Sequence, residues 1–470
     1  MKIANTLKLF SMGAVVSAAA YIAPVVVDKT AQTFGVNTGL VTQAYAQAKK
    51  KKTRKLPGIS EATMKKLGVV TEFVTPDTEK NPDAKPDFQK ALKELQKMER
   101  SCKDKCNKYE LSQIYRFYAF AYYSLDDYPR AIGAYKKVVA QSPEIPIAVE
   151  LDALYALAQL NFAQDNFDDS LKYLDRWIAL STVVGSDIFF LKGTILYTKG
   201  DKKGAATNVN KAISMVEANG KVAKEQWYSL QLALNLEKES YKPSKAILEK
   251  LIRNYPNVKY WTQFANVNGL LERESDQLHS LDAVYIQNKL KKRQDIVNLA
   301  YLYLGEDVPY KAAKVLEKGM AEKNVERNVK YLKVLASAWR AAREPKKAIA
   351  ALNEAAKAAV KEDAAKRGEK NYKPEAGNIQ SELVGLHLDL DDSKAAVEAG
   401  KRALRAGNLK RACEVHTNMG IAYVDMKQFK SAINSFDKAA DDKQCRAVVG
   451  NWKKYAQNEQ RQKEELERSL

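Results

Sequence analysis

The chain has 470 residues, 46% of them hydrophobic and 29% charged, with only 13 prolines and 21 glycines and a formal net charge of +20. That is enough apolar material for a large core, and no stretch alternates apolar and polar residues long enough for a sheet, which excludes a β architecture and leaves an all-α fold. The charge raises acidic proteins, phospholipid headgroups, lipopolysaccharide and nucleic acid as anionic partners. Its lysines are spread along outer helix faces, as in KKLGVV and LKKRQD, with no uninterrupted basic stripe; the plainer reading is a solvated surface, and no nucleic acid is expected.

Lys2 and Lys8 come first, then a charge-free run from Leu9 to Val27 and the small-x-small triplets Ala44-Tyr45-Ala46 and Ala46-Gln47-Ala48. Residues 1–48 therefore read as an export signal cleaved near Ala46 or Ala48. At about 1.5 Å per residue the run also nearly spans a hydrocarbon layer of roughly 30 Å, so residues 9–27 form an inner-membrane tether if cleavage does not occur. Its Ala, Ser and Gly content favours cleavage, and both versions place the rest of the chain in the periplasm. Residues 49–59 form a basic linker whose run KKKKTRK (49–55) is expected to be solvated and disordered, the alternative being contact with an anionic membrane or cell wall.

Ser60 to Phe73 and Phe88 to Cys102 read as two helices around TPDTEKNPDAKPD, a capping hairpin within residues 60–111. Cys102 and Cys106 share a helix face and come within bridging reach if the last turn distorts. Cys413 and Cys445 lie 32 residues apart, near the starts of neighbouring parallel helices, and are expected to form a disulfide. An even cysteine count suits an oxidising compartment, and no metal site is expected, because zinc would need two further ligands.

From residue 112 onward a unit of about 34 residues repeats, with small residues where two helices cross and large ones between them. Gly420, Tyr423, Ala432, Phe436 and Ala439 occupy unit positions 8, 11, 20, 24 and 27. The same frame holds Ala119 with Tyr135, Ala158 with Leu174, Gly193 with Val209, Ala300 with Leu316 and Ala336 with Leu352. This is the tetratricopeptide pattern. Unit starts fall near 112, 151, 186, 225, 258, 293, 329, 377 and 413, about 33–39 residues apart except for one interval of about 48 between 329 and 377. The expected architecture is a right-handed α-solenoid of about nine helical hairpins with N- and C-terminal capping helices: an array at 112–357, an inserted polar segment at 358–377 that lengthens a helix or forms a loop, further units at 378–444, and a capping helix with a charged tail at 445–470.

Nothing in the sequence matches a P-loop, GxSxG, HExxH or paired CxxC motif, so no enzyme, cofactor or small-molecule substrate is expected. Asp126-Asp127 and Asp391-Asp392 fall at turns between helices, where Asp caps the next helix. In such a stack, positions 2, 5, 9 and 12 of each first helix face a concave groove. They include Arg116, Phe120, Tyr123, Tyr155, Phe162, Phe190 and Tyr197, then Tyr301, Lys330, Lys333 and Arg340. The groove is expected to be aromatic toward its N-terminal end and basic further on, suiting an acidic segment of a partner protein. The competing reading is that these aromatics pack between adjacent first helices or lie under the N-terminal hairpin.

Three longer blocks carry a more specific likeness: RFYAFAYYSLDDYPRAIGAYKKVVAQ, ELDALYALAQLNFAQDNFDDSLKYLDRW and VNLAYLYLGEDVPYKAAKVLEKGM. Over roughly residues 86–357 the chain resembles periplasmic tetratricopeptide-repeat proteins of Gram-negative bacteria described as components of a TonB energy-transduction system. The resemblance implies proximity to TonB, ExbB or ExbD and a scaffolding role, and it transfers no residue role. Segment 49–55, the long export region and the units after Lys361 have no match in that family. The alternative function is an envelope-assembly factor that binds peptidoglycan or lipopolysaccharide through its basic surface.

Overall fold

The computed structural model describes residues 54, 58–76, 83–102, 105–366, 368–369 and 372–469. The leader with its cleavage triplets, the apolar run 9–27 and most of the basic segment lie outside the described residues. Twenty-one helices and no strand occur among the described residues. They fall into two compact units, Met1–Ser240 and Tyr241–Leu470, a division inside what the repeat register reads as one continuous array.

Unit 1 contains α1 (Glu61–Val74), α2 (Phe88–Cys102), α3 (Lys108–Ser124), α4 (Tyr128–Val139), α5 (Ile147–Ala163), α6 (Phe167–Leu180), α7 (Ser186–Lys199), α8 (Lys202–Glu217) and α9 (Glu225–Leu236). Unit 2 contains α10 (Tyr241–Asn254), α11 (Val258–Leu270), α12 (Glu274–Ile286), α13 (Arg293–Gly305), α14 (Pro309–Ala321), α15 (Val329–Ala341), α16 (Pro345–Ala365), α17 (Ala376–Leu388), α18 (Ser393–Ala406), α19 (Ala412–Asp425), α20 (Phe429–Ala440) and α21 (Lys443–Ser469). Within each unit consecutive helices pack pairwise and each pair packs on the next, which is α-solenoid architecture. The polar insert divides its length: α16 runs on to Ala365, and a short connector then leads to α17. The charged tail after Gln457 stays helical, continuing α21 to Ser469.

The same corner follows each first helix of the repeat from α3 onward. A left-handed residue stands at Asp126, Asp165, Gly200, Glu239, Glu272, Asp307, Arg343, Asp391 and Lys427, with φ between 54° and 60° at the non-glycine positions and 99° at Gly200. The amide after it always donates back five residues, as in Asp127 N to Tyr122 O and Gln428 N to Tyr423 O, both 2.8 Å. This is a Schellman closure, which satisfies carbonyls that the helix end leaves open. The intervals between these corners repeat those of the sequence register, including the single long one, between 343 and 391. At several corners the next residue is also an N-cap: Asp127, Asp201 and Asp392 accept the amides of Arg130, Gly204 and Ala395.

Crossing contacts explain the small residues. A Cβ built on Gly420 in α19 would lie 2.3 Å from Cε1 of Phe436 in α20, and one on Gly193 in α7 would lie 2.7 Å from Cγ2 of Val209 in α8. In both hairpins unit position 8 meets position 24, so the pairing read from spacing is the helix–helix contact itself. Buried residues such as Leu95, Ile114, Leu154 and Leu157 form the core of unit 1, and Leu316, Leu332, Trp339, Leu352 and Leu383 that of unit 2.

Cys102 is bonded to Cys106 and Cys413 to Cys445, with Cα separations of 4.9 and 6.1 Å. The second bridge joins the first turn of α19 to that of α21, beside Phe436, Val449 and Ala456.

Candidate partner-binding surface

In unit 1 the first helices α3, α5 and α7 carry the aromatic positions, and the structure turns most of them into joints. Phe120 meets Phe88 of α2 edge-on at 6.0 Å, so the N-terminal hairpin covers it. Tyr123 leans on Tyr128 at 5.9 Å and Tyr155 on Trp177 at 6.3 Å. Phe190 stacks on Trp227 of α9 at 4.9 Å and 13°. Tyr197 donates its hydroxyl to Glu237 at 2.7 Å, and burial together with that carboxylate pushes its pKa up to about 12.

Two expected groove residues are withdrawn from solvent altogether. Phe162 is 0% exposed in a cluster with Ala158, Leu174 and Ile195, and Arg116 is 8% exposed. Arg116 donates to Gln113 at 3.1 Å and lies 3.5 Å from Asp152, whose carboxyl burial pushes up against the pull of the guanidinium. Helical spacing selects a face, and the neighbouring hairpin then covers these two side chains, so neither is available to a partner. The aromatic end of the expected groove is therefore mostly interhelical packing.

In unit 2 the residues come together differently. Tyr301 and Leu304 of α13, Val329, Lys330, Lys333, Val334 and Ser337 of α15, and Ala359 and Glu362 of α16 line a cavity of about 610 Å³, closed on one side by Tyr372, Lys373 and Glu375 of the connector. Tyr301 is 46% exposed. Lys333 Nζ lies 2.9 Å from Glu375 Oε2, and Glu362 is paired with Lys366 at 2.6 Å. Lys330 and Lys373 are exposed and have no carboxylate within ion-pair distance among the described residues. Arg340 stands apart, exposed in the last turn of α15 and outside the cavity lining.

The connector side of this cavity was not singled out from sequence. Its signal was one tyrosine in an otherwise polar insert, Tyr372 in KEDAAKRGEKNYKPEAGN. With two ammonium groups free of carboxylate partners, an exposed phenol and an apolar wall, the cavity can seat an acidic peptide segment. The paired aspartates have structural roles, Asp126 and Asp391 taking the left-handed corner and Asp127 and Asp392 capping the next helix. Among the described residues no three His, Cys, Asp or Glu side chains gather as for a metal, and no helix is long and apolar enough to cross a membrane.

The fold and these surfaces define a class, an all-α solenoid of helical hairpins. Models of the tetratricopeptide repeat match residues 119–183 and 229–257. The chain thus carries tetratricopeptide repeats, which act as protein–protein interaction scaffolds. Solved structures similar to it include a tetratricopeptide repeat protein from Parabacteroides merdae at 14% identity, covering 59% of this chain and 99% of that one with a TM-score of 0.33. Another is MamA, at 15% identity, 41% and 94% coverage and a TM-score of 0.30. A third is YrrB, described as a TPR protein with an unusual peptide-binding site, at 14% identity, 44% and 95% coverage and 0.32. Curated proteins gave no match.

Proposed function

We propose that the chain is a non-enzymatic periplasmic scaffold that docks an acidic segment of a partner protein in the unit 2 cavity and serves TonB-dependent transport. The observation that carries the docking reading is the convergence of Tyr301, Lys330 and Lys373, none of them needed for the core, on one cavity of about 610 Å³. The export-type leader and the two disulfides support an oxidising compartment outside the cytoplasm. The three sequence blocks within residues 86–357 are the support for TonB, ExbB or ExbD as the company it keeps.

The test is affinity purification of the tagged chain from inner membranes, with and without Lys330→Glu and Lys373→Glu together. Recovery of TonB, ExbB or ExbD with the native chain and its loss in the double variant is the expected result. Equal recovery from both would remove the cavity from the reading, and no recovery together with unchanged receptor-dependent uptake on deletion would remove the TonB system.

A second reading rests on the net charge of +20, which suits an envelope-assembly factor on anionic peptidoglycan or lipopolysaccharide. Sedimentation with purified sacculi that moderate salt abolishes would favour it.

A further inference from the structure

Glu150 sits in the first turn of α5 with its side chain only 3% exposed. Its carboxylate is fully engaged. Oε2 accepts Arg54 Nη1 at 2.7 Å and the Ser142 hydroxyl at 2.8 Å, and Oε1 accepts Arg176 Nη2 at 2.5 Å. Burial pushes the carboxyl up, and the hydrogen bonds from Arg54, Ser142 and Arg176 outweigh it and hold it below the ordinary range.

Charge balance separates the two arginines. One cation neutralises one carboxylate, and Arg176 supplies it from α6, the partner helix in the same hairpin. Arg54 arrives from 96 residues away and brings a second positive charge that the fold does not need for neutrality. Its guanidinium is nonetheless built in: the same Nη1 also donates to the Ile145 carbonyl at 3.1 Å, and the side chain is 20% exposed.

Residues 58–60 are held as a bound peptide would be. The Gly58 carbonyl accepts Asn107 Nδ2 at 2.8 Å, and Ser60 donates its amide and its hydroxyl to Glu110 Oε1 at 2.8 and 2.6 Å. Two of these three contacts are to backbone atoms, and Arg54 alone contributes a charge-specific one. Arg54 is thus held at the start of α5, and Gly58 and Ser60 at the start of α3, by side chains that project from those helix ends.

We propose that Glu150, Ser142 and the Ile145 carbonyl form a guanidinium-recognition site for an arginine-bearing extended peptide, and that Arg54 is its resident, exchangeable occupant. Arg54 is then a ligand of unit 1 in cis. When it leaves, Arg176 keeps Glu150 neutralised, and a partner peptide carrying arginine takes its place. This site is separate from the unit 2 cavity and stands or falls independently of it.

The probe is a labelled peptide of residues 52–60, KTRKLPGIS, titrated by fluorescence anisotropy against the full chain. Arg54→Ala is expected to bind it at least tenfold more tightly than the native chain. The same peptide with lysine in place of its arginine should bind at least tenfold more weakly, because an ammonium cannot reproduce the planar fork. Adding Glu150→Gln to Arg54→Ala should abolish binding. Equal binding by the native chain and Arg54→Ala, or no preference for arginine over lysine in the peptide, would overturn the proposal. Since Glu150→Gln removes a buried charge, the native chain provides a second measurement: trypsin should cut after Arg54 at least tenfold more slowly than after Lys52, and excess unlabelled peptide should erase that difference. Equal rates, or rates that the peptide leaves unchanged, would also overturn it.

Discussion

The Tyr372 hydroxyl donates a 2.6 Å hydrogen bond to Asp363 Oδ1, fastening the connector to the last turns of α16. The same carboxylate receives the backbone amides of Glu375 and Ala376 at 3.1 Å, so one side chain fixes the cavity wall and caps the start of α17.

Asp363→Ala should therefore destabilise unit 2 by about 1–2 kcal/mol, the cost of a lost cap and its attendant hydrogen bonds. Tyr372→Phe removes one bond and should cost about 1 kcal/mol or less. Denaturant titration of both variants checks the ranking, and a Tyr372→Phe loss larger than that of Asp363→Ala would contradict it.

Gly420→Ala forces a methyl against the buried Phe436 ring, and overpacking of this kind costs about 1–3 kcal/mol. Gly133 in α4 is exposed with nothing within 4 Å of an added Cβ, so Gly133→Ala should instead stabilise by about 0.5–1 kcal/mol through helix propensity. Thermal melts of the two variants should move in opposite directions.

Phe162 and Tyr301 come from the same sequence pattern and should behave differently. Phe162→Ala empties a fully buried site and should cost about 3–5 kcal/mol. Tyr301→Ala should leave stability within about 0.5 kcal/mol and weaken capture of the partner, read by denaturation and by pull-down from the same preparation.

Reducing the Cys413–Cys445 bridge, or Cys445→Ser, opens a loop of 32 residues and should lower the stability of unit 2 by about 3–4 kcal/mol on a chain-entropy account. The Cys102–Cys106 bridge spans a sequence separation of only 4 and should contribute about 2 kcal/mol. Calorimetry with and without reductant, on single-bridge variants, separates them.

Glu150 and Glu110 are both held below the ordinary carboxylate range, burial opposing and hydrogen bonds prevailing. A carboxyl with a lowered folded pKa contributes stability that is present above its unfolded value, about 4.3, and is lost as pH falls through the folded one. Unit 1 should thus lose stability on acidification below about pH 4.3, and Glu150→Gln should flatten that slope. An unchanged slope in urea titrations at stepped pH would refute the assignment.

The repeat was legible because helix crossing demands small residues at fixed spacing, and Gly193, Gly420, Ala119 and Ala336 announce it without help from distant segments. The disulfide partners at 413 and 445 followed from the same period. The groove was only half legible. Position along a helix says which face Phe162 or Phe120 occupies, and it does not say that Ile195 or Phe88 will cover that face. Arg54 against Glu150 left no local trace, since a contact across 96 residues has no periodicity to betray it.

The left-handed corner recurs unchanged while the intervals around it vary. Within each unit every difference in hairpin length is consequently absorbed away from that corner, in the second helix, in the link to the next hairpin or in the following first helix. Duplication or loss of a module would leave the corner edge uniform and rewrite the opposite edge. In unit 2 that opposite edge holds the connector that walls the cavity, so the place where the scaffold tolerates changes in length is also where it can acquire a new specificity.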